Sequence, residues 1–218
     1  MTTARSILIL GGGSDIGLAI AHRFAAERYT VMLAARNPEA LEADAEDIRT
    51  RHRTEVSVHA YDTRDLDAAD GFFAGLERMP RVVVSVVGLL GEQDETADDP
   101  AMARLVAETN FLGPAWSMEV AARHLDAAGG GTVVGVSSVA GDRGRAKNYW
   151  YGAAKAGFSE MLSGLRQKYA RSAVRVVTVK PGFVATRMTR DMNLSGPLVA
   201  QPEEVGEAVW HGVATDMT

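Results

Sequence analysis

Tyr151-Gly-Ala-Ala-Lys155, with Ser138 thirteen residues before the tyrosine, is the stretch whose residue types can trade a proton. In a helix, positions four apart share a face, so the phenol and the ammonium point the same way. A phenol ionises near pH ~10, too high for ready exchange at neutral pH. An ammonium held beside it favours the phenolate and lowers that value. Ser138 follows an apolar run where a strand should end, and its hydroxyl could hold a substrate oxygen near the phenol. Ser137 is its competitor, and the spacing to Tyr151 favours Ser138. Tyr-x-x-x-Lys alone is common on helix surfaces, so the surrounding elements must carry the argument.

The 218 residues suffice for one sizeable α/β core and are few for two domains. Apolar content of 46% and charged content of 23% are those of an ordinary globular chain. A formal net charge of −5 argues against nucleic acid or an anionic membrane as a main partner. There is no cysteine, which excludes disulfides, thiol nucleophiles and thiolate metal sites. His22, His52, His59, His124 and His211 lack metal-ligand spacing, so no metal is expected. No basic-then-apolar leader opens the sequence, and the apolar stretch Val82 to Leu90 is far short of the ~20 residues that cross a bilayer. A cytoplasmic protein without membrane insertion is expected.

Strand-like and helix-like patterns alternate throughout. Ser6–Leu10, Thr30–Ala34, Val56–Ala60, Arg81–Val86, Thr132–Ser137 and Val174–Val179 are short, β-branched-rich and nearly continuous in apolar residues, as strands covered on both faces must be. Helices are predicted at Asp15–Glu27, Pro38–Arg53, Leu66–Leu76, Pro100–Asn110, Pro114–Ala127, Asn148–Ala170 and Pro202–Ala214. Gly129-Gly130-Gly131 reads as a turn into the fifth strand. This alternation predicts a single-domain, doubly wound parallel sheet of six or seven strands, a Rossmann fold, over residues 1–218.

The first predicted strand runs into Gly11-Gly12-Gly13-Ser14-Asp15-Ile16-Gly17, after which a helix begins. Such a turn lets the backbone approach a pyrophosphate, and the helix N-terminus offers free N–H groups to its charge. A tight turn without a ligand is the plainer alternative. After the second strand an NAD site wants a carboxylate for the ribose 2′-hydroxyl, whereas an NADP site needs a cation for the 2′-phosphate. Here the strand ends Leu33-Ala34-Ala35-Arg36, with no acid before Glu39. The missing carboxylate, with Arg36 able to fork onto a phosphate, favours NADP(H) over NAD(H). Asp62 could accept from an adenine amino group or serve as a turn or N-cap residue, and both readings stand.

With these residues in place the chain resembles the short-chain dehydrogenase/reductase family from Ile7 to about Gly206. The glycine-rich loop matches Leu10 to Gly17, and the Asn expected after strand four matches Asn110 in Thr109-Asn110-Phe111. The catalytic Ser, Tyr and Lys match Ser138, Tyr151 and Lys155, and Pro-Gly-x-Val-x-Thr matches Pro181-Gly182-Phe183-Val184-Ala185-Thr186. The resemblance implies hydride transfer between a nicotinamide and a ketone or secondary alcohol. Tyr151 would be the general acid or base, and Lys155 would bind the nicotinamide ribose and depress the phenol pKa. Ser138 would position the substrate oxygen, and Asn110 would support a proton relay through water. Gly88, Pro181, Gly182, the Val184 backbone and Thr186 would lie against the cofactor, with the last two holding its carboxamide. The family also implies a homodimer or homotetramer. The rival reading is a dinucleotide-binding regulator without catalysis; the intact set of proton-handling residues argues against it.

Three departures stand out. The loop's leading Thr is Leu10 and its middle Gly is Asp15, which is expected to cap the helix with its carboxylate turned away. The usual Asn-Asn-Ala-Gly is Ser85-Val86-Val87-Gly88, losing an Asn that ties strands together. The sequence ends at Thr218, where family members normally add a seventh strand and a tail. Arg187–Gln201, with Met188, Met192, Leu194, Leu198 and Gly196-Pro197, is expected to cover the substrate as a lid. Arg143, Arg145 and Lys147 could meet an anionic substrate group, or be solvated. Trp150, Phe158 and Met161 are expected at a hydrophobic subunit interface. Val-Gly-Leu-Leu-Gly and Ser-Ser-Val-Ala-Gly-Asp-Arg-Gly-Arg-Ala-Lys-Asn are similar to a subgroup containing the decaprenylphosphoryl-ketopentose reductases. No basic amphipathic helix is present to bring the chain to a lipid-linked substrate.

Overall fold

Nearly continuous apolar strands must bury both faces, and they do so in a six-stranded parallel sheet. In the computed structural model, residues 5–190, 192 and 198–215 are described. The strands are β1 (Ser6–Leu10), β2 (Thr30–Ala35), β3 (Val56–Ala60), β4 (Val82–Ser85), β5 (Gly131–Val136) and β6 (Val174–Val179). Their order is β3-β2-β1-β4-β5-β6, and every pairing is parallel. Side chains alternate along each strand. Leu8, Leu10, Val83 and Val133 pack on one side against Met118, Leu125, Phe158 and Leu162. Ile7, Ile9, Val84 and Val134 pack on the other against Ile20, Phe24, Ile48 and Val209.

The helices on these faces are α1 (Asp15–Ala26), α2 (Glu42–His52), α3 (Ala68–Ala74), α4 (Gln93–Asp98), α5 (Pro100–Ala107), α6 (Gly113–Ala127), α7 (Tyr149–Lys168) and α8 (Pro202–Ala214). The sheet therefore has the doubly wound architecture predicted. Because β1 lies between β2 and β4, the order of strand addition reverses beside it. That reversal opens a crevice at the carboxyl ends of the strands.

Several boundaries differ from the predictions. The helix predicted at Pro38–Arg53 begins as a 3-10 turn, Pro38–Leu41, before α2. Phe158 is fully buried against β5, where a Cβ on Gly135 would stand 3.0 Å from its ring, so it is a core residue and takes no part in a subunit interface. Met161 also packs against this core, whereas Trp150 is exposed. A short parallel pair, β7 (Phe183–Val184) and β8 (Val199–Ala200), lies beyond the main sheet.

The helix predicted to stop at Asn110 instead continues through a π turn, Glu108–Leu112, into α6. Pro114 has no N–H, so the Asn110 carbonyl loses its partner one α-turn on. The Gly113 amide reaches back to the Glu108 carbonyl. A side chain on Gly113 would stand 2.7 Å from the Thr63 carbonyl oxygen. A Gly-Pro pair that reads as a stop is here a register shift inside one helix.

Candidate active site

The glycine turn after β1 is drawn tight over the start of α1. Gly11 adopts φ +85°, and the amides of Gly11 and Gly12 both donate to the Ala34 carbonyl (3.0 and 3.1 Å). Ser14 is the N-cap: its hydroxyl donates to the Gly11 carbonyl (2.8 Å) and accepts from the Gly17 amide (3.0 Å). A Cβ on Gly17 would stand 2.6 Å from the Gly11 carbonyl oxygen, so only glycine closes this turn. The first-turn amides of Asp15 and Ile16 have no intrahelical acceptor, and the Ile16 side chain packs on the core. These are the groups a pyrophosphate would take.

Asp15 does not cap the helix. Its carboxylate instead accepts from the Arg187 side chain (2.9 Å) and backbone amide (2.6 Å), and the same guanidinium donates to the Gly13 carbonyl. A charge unwelcome beside a pyrophosphate is thus matched by a cation from the segment after β7. Arg187 escaped assignment from sequence because its partner is 172 positions away.

A cleft of about 410 Å³ opens beside this turn, which lies between the loops after β2 and β3 at one end and Val87, Gly88 and Leu89 after β4 at the other. Arg36, Asp62 and Arg64 also line it. Asp62 is a turn residue: its carboxylate accepts from the Arg64 amide (3.0 Å) and guanidinium (2.9 Å), while Asp65 accepts from the Ala68 amide at the next helix. Burial works to raise the Asp62 carboxyl, but Arg64, with Arg36 behind it, outweighs this and holds it below its ordinary value. Arg36 has no hydrogen-bond or ion-pair partner among the described residues. One carboxylate facing two guanidinium groups leaves this end of the cleft cationic. Arg64, within the Asp-Thr-Arg-Asp run, is a second cation that the sequence reading passed over.

Ser138 and Tyr151 meet at a separate, smaller pocket. Ser138 caps a 3-10 turn, Val139–Gly141, through its Oγ, which accepts from the Ala140 amide (3.1 Å). Tyr151 lies in the first turn of α7. Burial pushes its phenol up, opposed by a hydrogen bond with the Ser138 hydroxyl. Ser137 is excluded as the site serine, since its buried hydroxyl bonds the Lys155 carbonyl (2.9 Å) and the Ser159 hydroxyl (2.8 Å).

Lys155 is 3% exposed, and its ammonium donates to the carbonyls of Val87 (3.2 Å) and Val136 (3.3 Å). Burial pushes its pKa down to about 8. Its Nζ lies 5.8 Å from the Tyr151 ring centroid. The predicted depression of the phenol by Lys155 is therefore corrected: desolvation of both groups dominates here, and the phenol stays above its ordinary value.

Asn110 is fully buried in the π turn. Its side-chain amide donates to the carbonyls of Leu89 (2.6 Å) and Val106 (2.8 Å) and accepts from the Leu89 amide (3.0 Å). It thereby pins the loop after β4, whose Val87 carbonyl holds Lys155. A Cβ on Gly88 would lie 3.3 Å from Asn110 Oδ1 and 3.7 Å from Lys155 Nζ, so glycine at 88 keeps this corner open. Ser85, standing where the family Asn is missing, is buried with its hydroxyl unpartnered among the described residues.

A smaller pocket of about 150 Å³ touches Ser138, Tyr151 and Gly182. Met188 borders both this pocket and the larger cleft. Pro181 accepts from the Val139 amide (3.1 Å), fixing the turn beneath Ser138. The Val184 carbonyl accepts from Thr189 Oγ1 (2.6 Å), which ties the turn after β7 together. Thr186 shares a capping box with Thr189 and lines a separate crevice with Asp15 and Arg187. Of the predicted lid, Leu194 and Gly196-Pro197 lie outside the described residues. The histidines pair with neighbours, His22 with His52 (3.0 Å) and His124 with Asp70 (3.0 Å) among them.

A doubly wound parallel sheet, a glycine turn at its switch point and a Ser-Tyr-Lys group facing the same crevice define an NAD(P)-dependent oxidoreductase of the Rossmann type. The chain belongs to the short-chain dehydrogenase/reductase family: the family described as short chain dehydrogenase matches residues 5–195. An uncharacterized oxidoreductase of Mycobacterium tuberculosis is 37% identical over 210 residues, spanning 95% of this chain and 84% of that protein. The cis-4-hydroxycyclohexanecarboxylate dehydrogenase of Sinomonas cyclohexanicum is 31% identical, over 94% and 87% of the two chains. Among solved structures, an actinorhodin polyketide ketoreductase with NADPH superposes with a TM-score of 0.87 at 25% identity, covering 99% of this chain and 93% of its own. Levodione reductase superposes with a TM-score of 0.88 at 26% identity and the same coverage. Among the described residues no helix is long and apolar enough to cross a membrane.

Proposed function

We propose that this protein is an NADP(H)-dependent carbonyl reductase, or alcohol dehydrogenase in reverse, with Tyr151 as its general acid and base. One observation carries the reading: a half-buried Tyr151, beside Ser138 and one helical turn from the buried Lys155, opens on a pocket of its own beside the glycine-turn cleft. A solvated helix pair would have neither the burial nor the pocket.

The nicotinamide, when bound, supplies or accepts the hydride at the carbonyl carbon. Ser138 holds the carbonyl oxygen, and Tyr151 delivers the proton that turns it into a hydroxyl. In oxidation Tyr151 takes that proton back. Lys155, anchored by the Val87 and Val136 carbonyls, would donate its remaining N–H to the ribose of the bound cofactor. The Asn110 backbone carbonyl, deprived of its α-helical donor by Pro114, is the acceptor for a water feeding protons toward Lys155.

Gly11, Gly13, Ser14, Asp15, Ile16 and Gly17 would hold the diphosphate, with Arg187 balancing Asp15. Arg36 and Arg64 would take the 2′-phosphate, with Asp62 keeping Arg64 turned to the cleft. Gly88, Pro181, Gly182, Val184 and Thr186 would bound the nicotinamide end. The chain acts as one domain, with residues 187–201 as its substrate loop, and assembles as a homo-oligomer. A panel of ketones scored by NADPH oxidation tests the reading. Alcohol formed one for one with NADPH consumed is the expected result, and NADPH binding with no turnover across the panel would point to a regulator.

A further inference from the structure

The smaller pocket is chemically lopsided. Leu90, Val139, Phe183, Met188 and Met192 give it apolar walls, while Ser138 and Tyr151 mark the reacting end. Among its lining residues Arg145 alone carries a formal charge. No hydrogen-bond or ion-pair partner engages its guanidinium among the described residues. Asn148 amide donates to the Arg145 carbonyl (3.1 Å), so one turn brings both side chains to the wall. Asn148 Oδ1 is buried without a hydrogen-bond partner among the described residues.

The surroundings reinforce this charge. Arg143 and Lys147 flank Arg145 in the same exposed loop, and Asp142 is matched by Lys180 (2.7 Å). Asp94, Glu95 and Asp98 of α4 do not line the pocket. On a chain of net charge −5 this mouth is a local cationic patch, and such a patch concentrates anions. At about 150 Å³ the pocket is also well below the ~300–1,000 Å³ of sites for drug-sized ligands.

We propose that the enzyme reduces compact keto acids, whose carboxylate is held by Arg145 while the ketone faces Tyr151 and Ser138. A planar guanidinium suits a carboxylate bidentately, and the apolar walls suit a short aliphatic or cyclic body between the two groups. This rests on the reductase reading above and names its substrate class.

The test compares keto acids from 4-oxopentanoate to 4-oxocyclohexanecarboxylate with their neutral carboxamides, using the full chain and NADPH. For the wild type, kcat/KM for at least one acid should exceed that of its amide by tenfold or more. Arg145→Gln should erase this gap, mostly through KM, while leaving the amide rate within about twofold. Arg145→Lys should restore part of the preference, and added salt should weaken it. Equal use of acid and amide by the wild type, or an equal loss on both in Arg145→Gln, overturns the proposal. Turnover of neutral ketones with rejection of every acid overturns it too, yet leaves the reductase reading standing. No turnover of any ketone by a protein that binds NADPH contradicts the reductase reading, and the keto-acid proposal falls with it.

Discussion

Tyr151 and Lys155 depart from their ordinary pKa values in opposite directions for one reason, since burial disfavours the charged form of each. A raised phenol stays protonated at neutral pH, the form that reduction needs. Reduction should therefore hold level from neutral pH to about 8, where Lys155 starts to lose its proton, and fall above it. Oxidation of the alcohol should rise over the same alkaline range. A reduction profile already falling through pH ~6–7 would contradict the raised phenol. Lys155 also makes a stability statement. Its folded-state value of about 8 lies below its ordinary 10.5, so within that window the unfolded chain holds the extra proton and stability climbs as pH rises. Below the window both states are charged and the burial penalty is felt in full. Lys155→Met should thus stabilise the cofactor-free protein at pH 7 by roughly 1–3 kcal/mol while stopping turnover. Denaturant titrations at pH 7 and pH 10.5 would check this, since the gain should fade at the higher pH. A variant destabilised at pH 7 would show that the two carbonyl contacts of Lys155 outweigh its desolvation.

At the scale of elements, the loops after β2 and β3 bring Arg36 and Arg64 to one end of the large cleft. Arg36→Ala should weaken NADPH by about tenfold and NADH little, and adding Arg64→Ala should bring the two cofactors level, as measured by paired KM values. Preference for NADPH that survives both changes would place the phosphate elsewhere. The strands were legible to within about a residue, because both-face burial imposes continuous apolar runs that local composition reveals. Helix α4 was not: Gln93–Asp98 is short and almost wholly polar, so it lacks an apolar stripe. The strands β7 and β8 are two residues each, too short for any periodicity. Gly113-Pro114 has the chemistry of a helix stop, and only the packing of Gly113 on Thr63 turns it into a π turn. Within the site, Ser138, Tyr151 and Lys155 were legible because helix and strand periods fix their relation. Arg187 and Asn148 act through distant partners or loop geometry, and nothing local announces either.

For the molecule as a whole, one sheet serves two jobs at its carboxyl edge. The strand reversal beside β1 opens the crevice for a dinucleotide, while the carbonyls of Val87 and Val136, after β4 and in β5, hold Lys155 of α7. Asn110 joins these parts, since its side chain sets the loop whose carbonyl holds Lys155. Proton-coupled carbonyl reduction, as proposed, depends on the Tyr151 hydroxyl. The most direct measurement pairs single-turnover NADPH oxidation with NADPH binding in the wild type and in Tyr151→Phe, which loses only the hydroxyl. The expected result for Tyr151→Phe is a rate lower by about 10²–10⁴-fold with NADPH affinity within about twofold. Turnover by Tyr151→Phe at the wild-type rate would contradict it.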